Sequence, residues 1–118
     1  MAIFVFGSNL AGRHGLGAAL YAMRNCGAVY GCPVGMQGNS YAIPTKDENL
    51  KTLPLEDIEI YVSKFILYAK NNPEKEFALT PIGCGLAGYS YEDIAPMFVD
   101  SSPNVIIPKE FKEVLNDR

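Results

Sequence analysis

Short apolar runs of the kind found in strands alternate along this chain with longer stretches of helical periodicity. Residues 3–6 and 77–82 are largely apolar and contain several β-branched or aromatic side chains, which is typical of buried strands. Residues 55–69 instead place apolar side chains on one helical face, and Asn72 and Pro73 end that pattern. This alternation predicts an α/β fold with a largely parallel sheet.

Weaker patterns complete the expected order of elements. Small and apolar residues after Gly17 favour a helix that stops within residues 25–27, and Pro108 suits the start of a terminal helix. The further predicted elements are short strands at 28–30, 41–44 and 104–107 and helices at 91–98 and 108–116. Because 118 residues is the size of one domain, residues 1–118 are expected to form a single domain.

Composition and charge exclude several classes of protein. Hydrophobic residues make up 48% and charged residues 19% of the chain, which indicates a folded globular protein rather than a disordered one. A net charge of −3 argues against a broad nucleic-acid-binding surface. The first residues lack a basic segment and a long apolar stretch, so a cytoplasmic location and no membrane partner are expected.

The three cysteines, Cys26, Cys32 and Cys84, show neither a C-x-x-C spacing nor a neighbouring histidine cluster. A disulfide framework and a zinc site are therefore not indicated, and no metal or cofactor is expected. Cys84 lies inside a glycine-rich loop, where it is either a small packing residue, the favoured interpretation, or a nucleophile.

Two glycine-rich loops, residues 7–17 and 83–89, each follow a predicted strand. Ligands of open α/β sheets bind at the carboxyl ends of the strands, so both loops are expected to face one crevice. Glycine lets a ligand approach the backbone closely, and the start of a following helix offers free N–H groups to an anion. Tight turns alone are the competing explanation. The pair of loops suits a diphosphate.

Two familiar phosphate motifs do not match the first loop. Gly7 and Gly12 have the spacing of a P-loop, but Arg13 and His14 replace the lysine and the hydroxyl residue, which excludes an NTPase of that type. The glycine order G-x-x-G-x-G also differs from the dinucleotide fingerprint, and no acidic residue lies about 20 positions further on.

Polar residues between the loops could contact a ribose or a base. Gln37, Asn39, Thr45 and Lys46 are candidates, although a solvated loop explains them equally well. Three interpretations of His14, the single histidine, stay open: an exposed loop residue, a ligand contact or a general base. Tyr89 could stack its ring on that of a ligand or pack in the core, and both interpretations stay open.

Four segments resemble the macrodomain superfamily: residues 4–20, residues 41–46, the helix that begins at Leu55 and residues 81–89. They are most similar to the branch of terminal ADP-ribose glutamate hydrolases and of antitoxins that reverse ADP-ribosylation of DNA. The resemblance implies a compact macrodomain-like three-layer sandwich, with a mostly parallel central sheet flanked by helices.

The resemblance also implies roles for particular residues. Asn9 would approach the distal ribose, Gly15 and Gly17 would line the first diphosphate loop, and residues 83–89 would form the second. Lys46 would act at the ribose C1″. The candidate site residues are therefore Lys46 as catalytic residue and, as ligand-binding residues, Asn9, Gly12, His14, Gly15, Gly17, Gln37, Asn39, Thr45, Gly83, Cys84, Gly85, Leu86, Ala87, Gly88 and Tyr89.

One departure from the family pattern bears on catalysis. Ala87 stands where the glutamate-specific hydrolases carry an aspartate, so the acid that would assist a lysine mechanism is absent. The expected ligand is ADP-ribose or a related nucleotide, and the expected activity is either hydrolysis of ADP-ribosyl linkages on protein or DNA or non-catalytic binding and sequestration. An interaction scaffold is a third alternative.

Overall fold

A central strand, β1 (Ile3–Asn9), organises the sheet in the computed structural model, which describes residues 2–116. Residues 1, 117 and 118 of the expected single domain lie outside the described residues. The other elements are α1 (Gly17–Asn25), β2 (Gly35–Gln37), β3 (Ser40–Lys46), α2 (Leu55–Lys70), β4 (Phe77–Leu79), α3 (Tyr91–Ile94), a 3₁₀ helix (Ala95–Phe98), β5 (Val105–Ile106) and α4 (Lys109–Asn116).

The five strands form one mixed sheet in the order β2-β3-β1-β4-β5. β1 pairs in parallel with both β3 and β4, and β4 pairs in parallel with β5. The β2 edge differs because β2 is antiparallel to β3. The α/β class is confirmed, whereas the expectation of a mostly parallel sheet is wrong: the sheet is mixed.

Alternate residues of β1 belong to two hydrophobic cores, one on each face of the sheet. Ile3 and Val5 pack with α2 and with the C-terminal helices in the larger core, which is rich in aromatic residues. Phe6, with Phe4 beside it, packs instead against Ala19 and Ala22 of α1. Because successive side chains of a strand point to opposite faces, helices cover both faces of the sheet.

The strongest sequence patterns give the most accurate elements. The helices predicted after Gly17 and at 55–69 are confirmed as α1 and α2. Residues 28–30 are not a strand; Val29 there donates its N–H to the Gln37 side chain, 2.8 Å away. β2 is absent from the predicted elements, because three residues that include a glycine carry too little periodicity to mark a strand.

The predicted helix at 91–98 divides into α3 and the 3₁₀ helix. Pro96 lies at the start of the 3₁₀ turn and lacks the N–H that would continue the preceding helix. Ser90 begins α3 with a reciprocal capping box to Asp93. No helix within residues 2–116 combines the length and the apolar character needed to cross a membrane.

β3 runs beyond its predicted end at Pro44 as far as Lys46. The pairing with β2 stops at Ala42, so Pro44 lies where β3 has an open edge and tolerates a missing N–H. The register between β1 and β3 slips between Ser8 and Asn9. This irregularity at the carboxyl end of β3 lies beside the cleft described below, as β-bulges near sites often do.

We predict that Gly12→Ala destabilises the fold. Gly12 has a φ of 71°, and a Cβ there would lie 2.6 Å from the carbonyl carbon of Gly31. Backbone strain and overpacking together are expected to lower the free energy of unfolding by about 2–4 kcal/mol, measured by urea denaturation. Gly15→Ala is the matched control, because a Cβ at Gly15 meets nothing within 4 Å. Equal stability of the two variants would contradict the packing of Gly12 against Gly31.

Candidate functional site

A cleft of about 490 Å³ opens at the carboxyl ends of β1, β3 and β4. The strand order brings these three ends to one edge, because β1 lies between β3 and β4. The cleft is lined by Gly7, Ser8, Asn9, Arg13, Gly15, Leu16, Gly17, Ala18, Ala19, Tyr30, Thr45, Lys46, Leu50, Thr80, Pro81, Ile82, Gly83, Gly85, Leu86 and Ala87. Residues of both glycine-rich loops therefore face the same crevice.

The predicted site residues divide into two groups. Those that line the cleft are Asn9, Gly15, Gly17, Thr45, Lys46, Gly83, Gly85, Leu86 and Ala87. Those that lie outside its lining are Gly12, His14, Gln37, Asn39, Cys84, Gly88 and Tyr89.

The first loop leads into the uncapped N-terminus of α1. Leu16 is the N-cap residue and has an extended backbone, and its side chain makes no capping hydrogen bond. The first N–H groups of a helix have no partner within the helix, and here Gly17, Ala18 and Ala19 lie at the cleft. These groups give the cleft a patch of positive potential.

The second loop is folded on itself by two backbone hydrogen bonds. The N–H of Tyr89 donates to the carbonyl of Gly83, and the N–H of Gly88 donates to the carbonyl of Gly85. Between them, the N–H groups of residues 85–87 have no acceptor among the residues that the structure describes. They resemble an anion-binding concavity of successive backbone amides.

Leu86 brings the two loops together. Its Cδ1 atom lies 3.9 Å from the position that a Cβ would take at Gly17. The N-terminus of α1 and the second loop therefore lie next to each other.

Segment 52–53 ties the second loop to the end of β3. The hydroxyl of Thr52 donates to the carbonyl of Ala87 at 2.8 Å, and the hydroxyl of Tyr89 donates to the carbonyl of Leu53 at 2.7 Å. The N–H of Leu53 in turn donates to the carbonyl of Thr45. The position of the second loop is thus linked to that of Lys46, which follows Thr45. Tyr89 is a tether, and its ring is absent from the lining.

Arg13 and Lys46 are the cationic residues of the cleft, and none of the residues in its described lining is acidic. Asp47, next to Lys46, is outside the lining, and its Oδ1 accepts hydrogen bonds from the N–H groups of Asn49 and Lys51. Among residues 2–116, no cluster of histidine, cysteine and acidic side chains could hold a metal ion. The electrostatics of the lining favour an anion.

His14 is buried beneath the first loop, so the exposed-loop interpretation is wrong. Its Nε2 lies 3.1 Å from the carbonyl oxygen of Cys32 and 3.2 Å from Oε1 of Gln37, and its ring packs edge-on against Phe6. Nδ1 has no partner among the described residues. Gln37 is also buried, and its side chain hydrogen-bonds to the backbone of Val29 and of Cys32. Both residues support the loop from below.

Three more candidates lie outside the cleft lining for simple geometric reasons. Asn39 precedes β3, at the opposite end of the strand from Lys46, and its side chain donates to the carbonyl of Ala2. Gly12 packs against Gly31, whose N–H donates to the Gly12 carbonyl at 2.7 Å. Gly88, with a φ of 88°, serves the turn of the second loop.

Cys84 is not among the lining residues of the cleft. Its Sγ lies near the carbonyl oxygens of Ile82 and Ser90, at 3.4 and 3.5 Å. Burial, followed by the nearby carboxylates of Asp93 and Glu92, raises the pKa of Cys84 to about 11. The packing interpretation is therefore supported over the nucleophilic one, which requires a lowered pKa.

Sequence reasoning missed Arg13, Tyr30 and Leu50 as lining residues. Leu50 has a φ of 63° in the turn held by Asp47, and a positive φ is rare for a side chain of this size. Tyr30 comes from the segment that was expected to be a strand. Arg13 and Leu50 are held by short-range hydrogen bonds to Asn9 and Asp47, but no sequence pattern marked these side chains, or that of Tyr30, as part of the cleft.

Comparison of this chain with protein-family models, with curated proteins and with solved structures finds no match. The residues of the cleft and their geometry are therefore the basis for a function.

We predict that Cys84 reacts slowly with iodoacetamide in the native protein. With a pKa raised from 9.0 to about 11, the thiolate fraction below pH 9 falls about a hundredfold, and the thiolate is the reactive form. The rate at Cys84 should rise with pH up to about 11, followed by mass spectrometry, whereas the urea-denatured chain should react at the ordinary rate. Equal rates in the native and denatured proteins at pH 7.5 would contradict the buried thiol.

Proposed function

We propose that this protein binds ADP-ribose or an ADP-ribose-derived nucleotide, with the diphosphate between the two glycine-rich loops. One observation carries the proposal: the uncapped start of α1 lies next to the loop that carries the free N–H groups of residues 85–87, at a cleft whose described lining has two cations and no carboxylate. Backbone donors of this kind bind phosphate oxygens, and a pair of them suits two linked phosphates.

The rest of the cleft supports a ligand of nucleotide size. Its volume of about 490 Å³ is within the range of small-molecule sites. Leu16, Tyr30 and Leu86 line it and are each more than half exposed, so apolar surface is available to the flat faces of a sugar or a base. Exposed apolar side chains that cluster around a cleft commonly mark a binding site.

The likeness to macrodomains adds a second line of support. An α/β sheet with helices on both faces is compatible with a macrodomain-like three-layer sandwich, and the segments that resemble the family supply much of the cleft. ADP-ribose is the ligand that this likeness implies, although the antiparallel β2 edge departs from the expected sheet.

Hydrolysis of ADP-ribosyl linkages is a second candidate function, because Lys46 lines the cleft beside the loops. A lysine there can hold a charge near the ribose or attack its anomeric carbon. His14 and Asp47, the two groups that could assist it, lie outside the lining. Binding without chemistry is therefore the function that the lining supports best, and ADP-ribosylated protein or DNA would be the substrate of a hydrolase.

We predict that ADP-ribose binds with 1:1 stoichiometry and that AMP binds at least about tenfold more weakly. AMP has one phosphate and can occupy the donors of only one loop. Isothermal titration calorimetry of the wild-type protein gives both affinities. Equal affinity for the two nucleotides, or no binding of either, would contradict the proposal that the two loops bind a diphosphate.

Gly85→Val tests the role of the second loop in the same titration. A Cβ at Gly85 meets nothing within 4 Å and its φ is not positive, so valine fits the fold while its branched side chain fills space beside the free N–H groups. The variant should unfold at nearly the wild-type temperature and lose ADP-ribose binding. A Gly85→Val protein that is folded and binds normally would exclude the second loop from the site.

If Lys46 is catalytic, we predict that Lys46→Ala keeps ADP-ribose affinity within about tenfold of wild type, whereas the loss of a fixed charge that only binds the diphosphate should weaken binding. If the protein is a hydrolase, the same variant should lose release of ADP-ribose from modified protein or DNA, measured by chromatography of the released nucleotide. Wild type that releases nothing from ADP-ribosylated glutamate, aspartate or DNA bases would remove the hydrolase candidate and leave the binding proposal standing.

Ala87→Asp provides a test of the lysine mechanism in that assay. The substitution restores an acid at a position that lines the cleft. Glutamate-linked hydrolysis should increase only when Lys46 is present, and an increase that persists in the Lys46→Ala background would rule out a role for the lysine.

A further inference from the structure

The side chain of Asn9 closes the first loop by clamping the backbone of Arg13. Its Nδ2 donates to the carbonyl of Arg13 at 2.9 Å, and its Oδ1 accepts from the N–H of Arg13 at 3.0 Å. Both ends of the amide are thus engaged with a single residue four positions on. A direct contact of Asn9 with the distal ribose, as the family likeness implies, would compete with these bonds.

The clamped segment is also attached firmly to the sheet. The N–H of Gly12 donates to the carbonyl of Asn9, and the N–H of Leu10 donates to the carbonyl of Lys46, both at 2.9 Å. Residues 9–13 therefore form a short turn fixed to the ends of β1 and β3. Arg13 lies at the end of this turn, is exposed and lines the cleft.

Few other side chains in the lining can donate to an anion. The hydroxyl groups of Ser8, Thr45 and Thr80 donate to backbone carbonyls within the protein. Arg13 and Lys46 are left as the charged donors. A guanidinium presents a rigid fork of N–H groups that matches two phosphate oxygens, which an ammonium cannot do.

We infer that the Arg13 side chain binds the phosphates together with the backbone donors of the loops, and that Asn9 is a positioning residue that acts through Arg13. The inference rests on the proposed function, because it names the residue that selects a diphosphate in the same cleft. The proposed contact joins the Arg13 guanidinium to the diphosphate and does not involve the distal ribose. It is therefore shared by ADP, which lacks that ribose, and by ADP-ribose.

Calorimetric titration with ADP and with ADP-ribose shows whether Asn9 contacts the distal ribose or positions Arg13. Arg13→Gln should weaken both ligands by about tenfold to a hundredfold, the size of a lost charged hydrogen bond, and Arg13→Lys should lie between Arg13→Gln and wild type. Asn9→Ala should weaken both ligands by the same factor. In the Arg13→Gln background, Asn9→Ala should cause little further loss, since coupled residues are not additive.

Three outcomes would overturn the inference. Weaker binding of ADP-ribose but unchanged binding of ADP in Asn9→Ala would make Asn9 a ribose ligand. If the loss of affinity in the double variant equals the product of the losses in the two single variants, the two residues act independently. Unchanged affinity in Arg13→Gln would remove Arg13 from the site. Thermal unfolding of each variant shows whether a loss of binding is a loss of fold.

Inorganic pyrophosphate distinguishes this inference from the proposed function. If wild type fails to bind ADP-ribose but binds pyrophosphate, and Arg13→Gln reduces that affinity, the nucleotide assignment fails and the role of Arg13 stands. If wild type binds none of ADP, ADP-ribose and pyrophosphate, both proposals fail.

Discussion

The parallel pairing of β1 with β3 and β4 is the constraint on which the rest of the structure depends. β1 is buried on both faces, with Val5 in one core and Phe6 in the other, so neither its register nor its direction can change without exposing apolar surface. Parallel strands end at the same edge, so the segments that follow β1, β3 and β4 meet there. The cleft results from that meeting.

Sequence patterns predicted the parts of the fold that local periodicity determines. The long apolar face of α2 and the small residues of α1 were sufficient for both helices, and the glycines after two strands placed Gly15 and Gly85 at one cleft. The sequence did not predict β2, because its three residues form a strand only through pairing with β3. The burial of His14 likewise depends on Cys32 and Gln37, which approach it only in the folded chain.

The glycines show why residue type alone could not separate the site from its support. A Cβ at Gly12 or at Gly38 would lie within 3 Å of backbone atoms, so those glycines permit close packing of two segments. Gly15 and Gly85 have open space around them and line the cleft. What differs is the segment of the protein that packs against each glycine, and only the tertiary structure reveals it. Gly12, which was predicted to bind the ligand, therefore belongs to the structure that supports the loop.

The donors of the cleft also bear on the choice between binding and hydrolysis. A lysine ammonium is a hydrogen-bond donor only, so Lys46 must give up a proton before its nitrogen can attack a carbon atom. The described lining contains neither a carboxylate nor a histidine to take that proton, since Asp47 holds its own turn and His14 is bonded to the segment beneath the loop. As a fixed positive charge, however, Lys46 needs no base, and it complements the backbone donors of both loops. Under the proposed function, Lys46 is therefore a fixed positive charge beside the diphosphate.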